Sequence, residues 1–427
     1  MSFTAKTLII IISLFLGSYS FSAAEKNVIL IIPDGCSISM WASIRAMTVG
    51  VDSLLNVDKL PVQGRCRTYS ADALITDSAA AVTAYACGIK TVNGVLGKDA
   101  TTILGDSLTG RPVESILELA EKAGYSTGLI TTTLIQHATP GGFYTHRSDR
   151  NWYELIAADL VGKGIEVVMG GGRDYMIPNG AIDEEGAPSK RKDNRNIIRE
   201  MQKNGYTYVY NSVGFNTVDT GKTPKLLGLF NSGDMQYEYN RSKDKAGEPG
   251  LWEMTTKALE VLSKNKKGFF LMVEAGRIDH AAHAHLTQEF LWDGIACDKT
   301  VGVAMDFAKK NKNTLLIVVP DHGCGGPHLA GMYDLSKPDS AIVASGFPRY
   351  ILGKDGFPYS DGGKPVAIQW IKSTGHTGED VTVSAYGPGS MDLCGVIQNT
   401  DVFKVMSKHL GVGKQSKKTG TGYQVDY

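Results

Sequence analysis

The chain carries no surplus of charge: 44 Lys plus Arg stand against 44 Asp plus Glu, a formal net charge of zero. Nucleic-acid binding draws its affinity from positive charge that neutralises phosphates, so this balance argues against that class of partner. Cysteine is sparse. Cys36, Cys66, Cys87, Cys297, Cys324 and Cys394 are scattered, with no CxxC pair, which argues against a cysteine-based zinc site. Each reads as a small buried residue, and the spacing leaves any disulfide pairing open. No internal repeat is visible, and nothing resembles collagen or a coiled coil. After residue 24 no apolar run approaches the ~20 residues of a membrane-spanning helix, which argues against a multi-span membrane protein.

What is present fits a large globular enzyme. The 427 residues are 42% hydrophobic and 21% charged, enough for two or three average domains or one large α/β domain with insertions. Forty-nine glycines exceed the ~7% of average composition and point to many tight turns. Residues 1–24 read as an export signal: Lys6 supplies the charged start, residues 8–16 an almost unbroken apolar stretch, and Ser22-Ala23-Ala24 a small-residue cleavage site. The expectation is cleavage near Glu25, no stable membrane span afterwards, and a periplasmic or secreted protein.

Short apolar runs at residues 28–32, 127–132, 166–169, 269–273 and 315–319 read as buried strands, with 381–386 as the last. Helical stretches at 112–123, 151–161, 197–203 and 251–264 alternate with them. This pattern predicts an α/β fold with a largely parallel central sheet and helices on both faces. Residues 25–410 are expected to form one catalytic domain, with 323–375 as an inserted subdomain covering the site rather than sheet. Residues 181–195 read as a polar loop insertion and 411–427 as a polar tail.

Ligands gather at the carboxyl ends of strands in such sheets, and Asp34, Glu274, Asp321 and His322 all follow a predicted strand. Asp279 and His283 are four residues apart in Asp279-His280-Ala281-Ala282-His283, so one helical turn lets both face one metal. His376 adds another imidazole, and nitrogen with carboxylate suits zinc. In Asp77-Ser78-Ala79, an aspartate suited to capping a helix precedes a serine at its start, where backbone N–H groups favour a phosphate. Arg150 offers a bidentate clamp for the same group.

Several segments together resemble the alkaline phosphatases. They are Ile31-Ile32-Pro33-Asp34-Gly35, Asp77-Ser78-Ala79 with Gly88-Ile89-Lys90-Thr91, His137-Ala138-Thr139-Pro140, Val273-Glu274, Asp279 to His283, Pro320-Asp321-His322-Gly323, and His376-Thr377-Gly378 leading to Ala385-Tyr386-Gly387-Pro388. They occur in the family's order from about residue 27 to 410.

The resemblance implies a phosphomonoesterase that forms a phosphoserine at Ser78 while Arg150 holds the phosphate oxygens. It implies a first zinc on Asp279, His283 and His376, and a second on Asp34, Asp321 and His322, joined by ionised Ser78. A magnesium is implied on Asp34, Thr139 and Glu274, with Asp77, His137 and His280 surrounding these groups. Small phosphorylated substrates and inorganic phosphate are the implied partners. The histidines at 137 and 280 resemble the animal enzymes, and magnesium occupancy is expected to fall as they protonate near ~6.5. Gly228-Leu229-Phe230-Asn231 with Glu248 resembles the animal calcium region, but Asn231 stands in place of a carboxylate, which leaves calcium open. A homodimer is expected, although the N-terminal clasp of family dimers is almost missing. A phosphodiesterase or mutase of the same superfamily would lack the third-metal set. A sulfatase would need a C/S-x-P-x-R context that Asp77-Ser78-Ala79-Ala80-Ala81 does not supply. A silent exported binding protein would not need nucleophile, clamp and ligands together.

Overall fold

A computed structural model describes residues 25–50, 52–332 and 366–413. The signal segment 1–24, most of the tail 411–427 and residues 333–365 of the expected covering subdomain lie outside the described residues.

The centre is a ten-stranded sheet. Its strands are β1 (Lys26–Ile32), β2 (Val62–Arg67), β3 (Ser126–Leu134), β4 (Val167–Gly171), β5 (Thr207–Val209), β6 (Leu226–Leu229), β7 (Gly268–Glu274) and β8 (Thr314–Val318). Past the small strands β9 (Gly323–Cys324), β10 (His328–Met332), β11 (Val366–Gln369) and β12 (His376–Thr377), the sheet is completed by β13 (Val381–Tyr386) and β14 (Gly395–Gln398). The order is β14-β2-β13-β8-β1-β7-β3-β4-β6-β5. Every neighbouring pair is parallel except those made by β13, which runs against β8 and β2.

Strand β1 shows why the central runs were legible. Val28, Leu30 and Ile32 enter one core and Ile29 and Ile31 the other. A strand buried on both faces reads as a near-continuous apolar run. The four central strands β8, β1, β7 and β3 then deliver Asp321 and His322, Asp34, Glu274, and the His137–Thr139 segment to the same edge.

Three expectations need correction. Residues 381–386 do form a strand, but it is antiparallel and β14 follows it, so it is not the last. The described ends of 323–375 are not free of sheet: β9 pairs with β12 and β10 with β11, as small ladders apart from the main sheet. All six cysteines are free thiols and five are buried, whereas Cys394 is exposed. Among the described residues no helix is long and apolar enough to cross a membrane.

Candidate active site

Ser78 opens the helix Ser78–Cys87, in which every residue is buried. Asp77 caps it, accepting from the Ala80 amide at 2.9 Å and so satisfying an N–H that the helix itself cannot. The small residues after Ser78 let a second helix, Ala138–Tyr144, pack closely; a Cβ on Gly142 would fall 2.3 Å from Val82 Cγ2. The other Asp77 oxygen accepts from the Gly94 amide and from Arg150 Nη1, each at 3.0 Å. Arg150 Nη2 lies 3.1 Å from His137 Nε2. The guanidinium is thereby held beside a helix start, where an anion is favoured.

Ser78 Oγ lies 3.1 Å from His322 Nε2. The same nitrogen is 3.2 Å from Asp321 Oδ2 and 3.5 Å from Asp34 Oδ1. Asp321 is aimed through its other oxygen, which accepts from the Gly35 amide at 3.2 Å and the His322 amide at 3.1 Å. Only glycine fits at position 35: its φ is +65°, and a Cβ would fall 2.5 Å from Asp279 Oδ1.

A second convergence forms on the helix Arg277–His283. Asp279 Oδ2 is 3.2 Å from His283 Nε2, and His376 Nε2 comes within 3.1 Å of the same nitrogen. Each imidazole is oriented by its other nitrogen: His283 Nδ1 faces the Thr374 carbonyl at 2.6 Å and His376 Nδ1 the Thr76 carbonyl at 2.9 Å. Metal-binding histidines are commonly fixed in this way. Cys324, which the spacing did not single out, joins them, since donor atoms of Asp279, His283, Cys324 and His376 all lie within 4.8 Å of one another.

Asp34, His137 and Glu274 form a further group within the same limit. Glu274 accepts from the hydroxyls of Thr131 and, at 3.2 Å, Thr133. Thr139 is fully buried in the same region. His280 meets His137 edge-on with ring centres 5.5 Å apart. Arg277 Nη1, also missed from sequence, lies 2.7 Å from His280 Nδ1 and 3.1 Å from Asp234 Oδ2.

Both oxygens of Asp34, Oδ1 of Asp279, Oδ2 of Asp321 and Oε1 of Glu274 are buried without a hydrogen-bond partner. Burial, then the charges of Asp321, Asp279 and Glu274, push Asp34 far above the carboxylate range. Burial also raises Glu274 and Asp321. Asp279 differs: burial would raise it, but its bond to His283 and the charges of His322 and His376 hold it low. Burial brings His322 down to about 4 and lowers His376 too, which leaves their nitrogen lone pairs free. Clustered unpaired carboxylates are costly unless cations join them. Mixed nitrogen and oxygen donors suit zinc, and the oxygen-rich group around Glu274 suits magnesium. Burial, then the charges of Arg150 and His280, hold His137 well below the usual histidine range. The expected protonation of His137 near ~6.5 is thus corrected: its site favours the neutral ring.

A family model described as alkaline phosphatase matches residues 25–341 and 364–412. The chain belongs to the alkaline phosphatase family. The rat tissue-nonspecific isozyme is 34% identical over 440 residues, covering 90% of this chain and 83% of the relative. The alkaline phosphatase of Gadus morhua is 33% identical over 444 residues, covering 91% and 92%. Among solved structures, the alkaline phosphatase of the Antarctic bacterium TAB5 superposes with a TM-score of 0.74 at 28% identity, covering 92% of this chain and 99% of that one. The Thermus thermophilus alkaline phosphatase gives a TM-score of 0.75 at 29% identity, covering 92% of each. As a member of this family the chain is a phosphoric monoester hydrolase built on the family's α/β fold.

The region compared with an animal calcium site is satisfied by the chain's own groups. Asn231 Nδ2 and the Gln236 amide each donate to Glu248 at 2.8 Å. Fully buried Arg173 sits 2.9 Å from Asp183 and 2.5 Å from Glu185.

Proposed function

We propose that this alkaline phosphatase hydrolyses small phosphate monoesters by way of a phosphoserine at Ser78. The observation that carries the reading is the placement of Ser78 Oγ at a capped helix start, 3.1 Å from His322 Nε2, with Arg150 tied to the same cap. Two zinc ions and one magnesium fit the unpartnered donors. Asp279, His283 and His376 would hold the first zinc, Asp34, Asp321, His322 and Ser78 the second, and Asp34, Thr139 and Glu274 the magnesium. Bound there, the cations would supply Lewis-acid stabilisation of the attacking and leaving oxygens of an in-line displacement.

The chain's own residues do the rest. Asp77 sets the helix start that carries Ser78, whose Oγ would attack the phosphorus. Arg150 fixes two phosphate oxygens with charge-assisted bonds. His137 supports Arg150 from behind, and Asp77 balances its charge. Because the grip is on the phosphate, the alcohol portion of the substrate is weakly constrained.

Variants of the TAB5 enzyme with one histidine changed to glutamate or aspartate are described with magnesium bound in the M3 site. That parallel supports a magnesium site here, and His137, beside Asp34 and Glu274, is the histidine read as its neighbour. The same reading places the protein in the periplasm or outside the cell after removal of residues 1–24, as a homodimer. N-terminal sequencing and light scattering check those two points.

The decisive test is Ser78→Ala. The variant is expected to fold and keep its metal while losing nearly all turnover. Acid-quenched wild-type protein with inorganic phosphate should yield a phosphorylated peptide containing Ser78. Full activity in the variant would overturn the assignment.

A further inference from the structure

Cys324 is buried, reduced and placed among metal donors, yet neither the i,i+4 spacing of Asp279 and His283 nor the strand-end pattern of the other ligands accounts for it. Its position follows from the β9–β12 ladder, where Cys324 and His376 are directly opposed residues. In an antiparallel pair, opposed residues carry their side chains on the same face, with Cβ atoms about 4.5–5.5 Å apart. Asp279 and His283 stand one turn apart on the helix Arg277–His283. Cys324 Sγ lies 4.0 Å from the Asp279 carbonyl oxygen, and it falls within 4.8 Å of the donor atoms of Asp279, His283 and His376. A helical pair and a ladder pair thus surround one point. Asp279 Oδ1, 3.7 Å from His376 Nε2, is buried there without a hydrogen-bond partner.

We propose that Cys324 is a fourth protein ligand of the first cation site, giving that site a sulfur donor. The inference rests on the metal reading above and adds a residue to it. On binding, the sulfur lone pair goes to the cation and the thiol proton leaves to solvent; no oxidant or reductant is involved. Asp279, His283 and His376 with Cys324 would then offer the cation three nitrogen and oxygen donors and one sulfur. A thiolate also biases the site toward zinc over hard cations such as magnesium.

The experiment is cobalt substitution of the full-length protein, followed by absorption spectroscopy. Cobalt in a tetrahedral site shows visible ligand-field bands, and a bound thiolate adds a near-ultraviolet sulfur-to-cobalt band. Wild type is expected to show both. Cys324→Ser and Cys324→Ala should keep the visible bands, lose the sulfur band and release zinc to a chelator at least about 10-fold more readily. Cys394→Ser, which removes the exposed thiol, should leave the spectrum unchanged. Visible bands in wild type with no sulfur band would overturn the role of Cys324 alone, even if the Cys324 variants bind metal less tightly. Failure of wild type to take up cobalt with either band would overturn the metal reading itself.

Discussion

Arg150 Nη1 donates to Asp77 Oδ2 at 3.0 Å, while Asp77 Oδ1 caps the helix that begins at Ser78. One carboxylate therefore registers the proposed phosphate clamp against the proposed nucleophile. Asp77→Asn keeps an efficient cap but loses a charged partner for Arg150, whereas Asp77→Ala loses both. The cap is worth about 1 kcal/mol. Thermal unfolding should show Asp77→Ala less stable than Asp77→Asn by about that amount. Both should bind inorganic phosphate more weakly, in the direction of Arg150→Ala, where losing a charge-assisted bond worth roughly 1.5–3 kcal/mol predicts a 10- to 150-fold weaker inhibition constant. Unchanged phosphate inhibition in all three would rule out the clamp.

His137 stands with Asp34 and Glu274 in one donor group, where a neutral imidazole adds no negative charge for magnesium. His137→Asp is expected to tighten magnesium retention. Dialysis at alkaline pH should leave wild type as a partly active two-zinc enzyme that added magnesium restores, while the variant keeps its magnesium. Metal content measured beside activity checks this. Equal retention in both proteins would reject the account of His137.

Away from the metals, His146 anchors the segment leading to Arg150. Its Nδ1 faces the Gly97 carbonyl at 2.7 Å, its Nε2 lies 3.1 Å from Glu118, and Lys163 lies 2.9 Å from the same carboxylate. Burial would raise Glu118, but the bonds to His146 and Lys163 bring it down to about 2. For His146, burial is outweighed by the bond to Glu118, and its pKa rises. A depressed carboxylate stabilises the fold above its unfolded pKa, and that stability is lost as pH falls through the folded value. A raised imidazole stabilises below its unfolded pKa and loses that contribution as pH rises through the folded value. The pair should therefore contribute most between about 4.5 and 6.5. Glu118→Gln should lower the melting temperature in that window, by roughly 1–3 kcal/mol of stability, and flatten its fall toward pH 2. A melting profile parallel to wild type across the acid range would refute this.

Much of the site is local in origin. The apolar runs of β1, β7 and β8 are legible because strands covered on both faces are mostly apolar; Glu274 closes β7, and Asp34, Asp321 and His322 lie within a few residues past β1 and β8. Asp279 and His283 share a face by helical period alone, and Asp77 before Ser78 is a capping pattern within three residues. Less regular segments were silent. Val62–Arg67 is polar at alternate positions, Thr207–Val209 and Leu226–Leu229 are short, and the 24-residue helix Thr287–Lys310 mixes glycine and charge among its buried positions. Tertiary structure alone decided the meetings between distant residues: Arg150 with Asp77 and His137, Arg277 with His280 and Asp234, and Cys324 opposite His376. Periodicity reports which face a residue takes on its own element. Which two elements lie side by side, and in what register, is set by packing of the whole chain, and it is that register which turns Cys324 from a buried thiol into a candidate ligand.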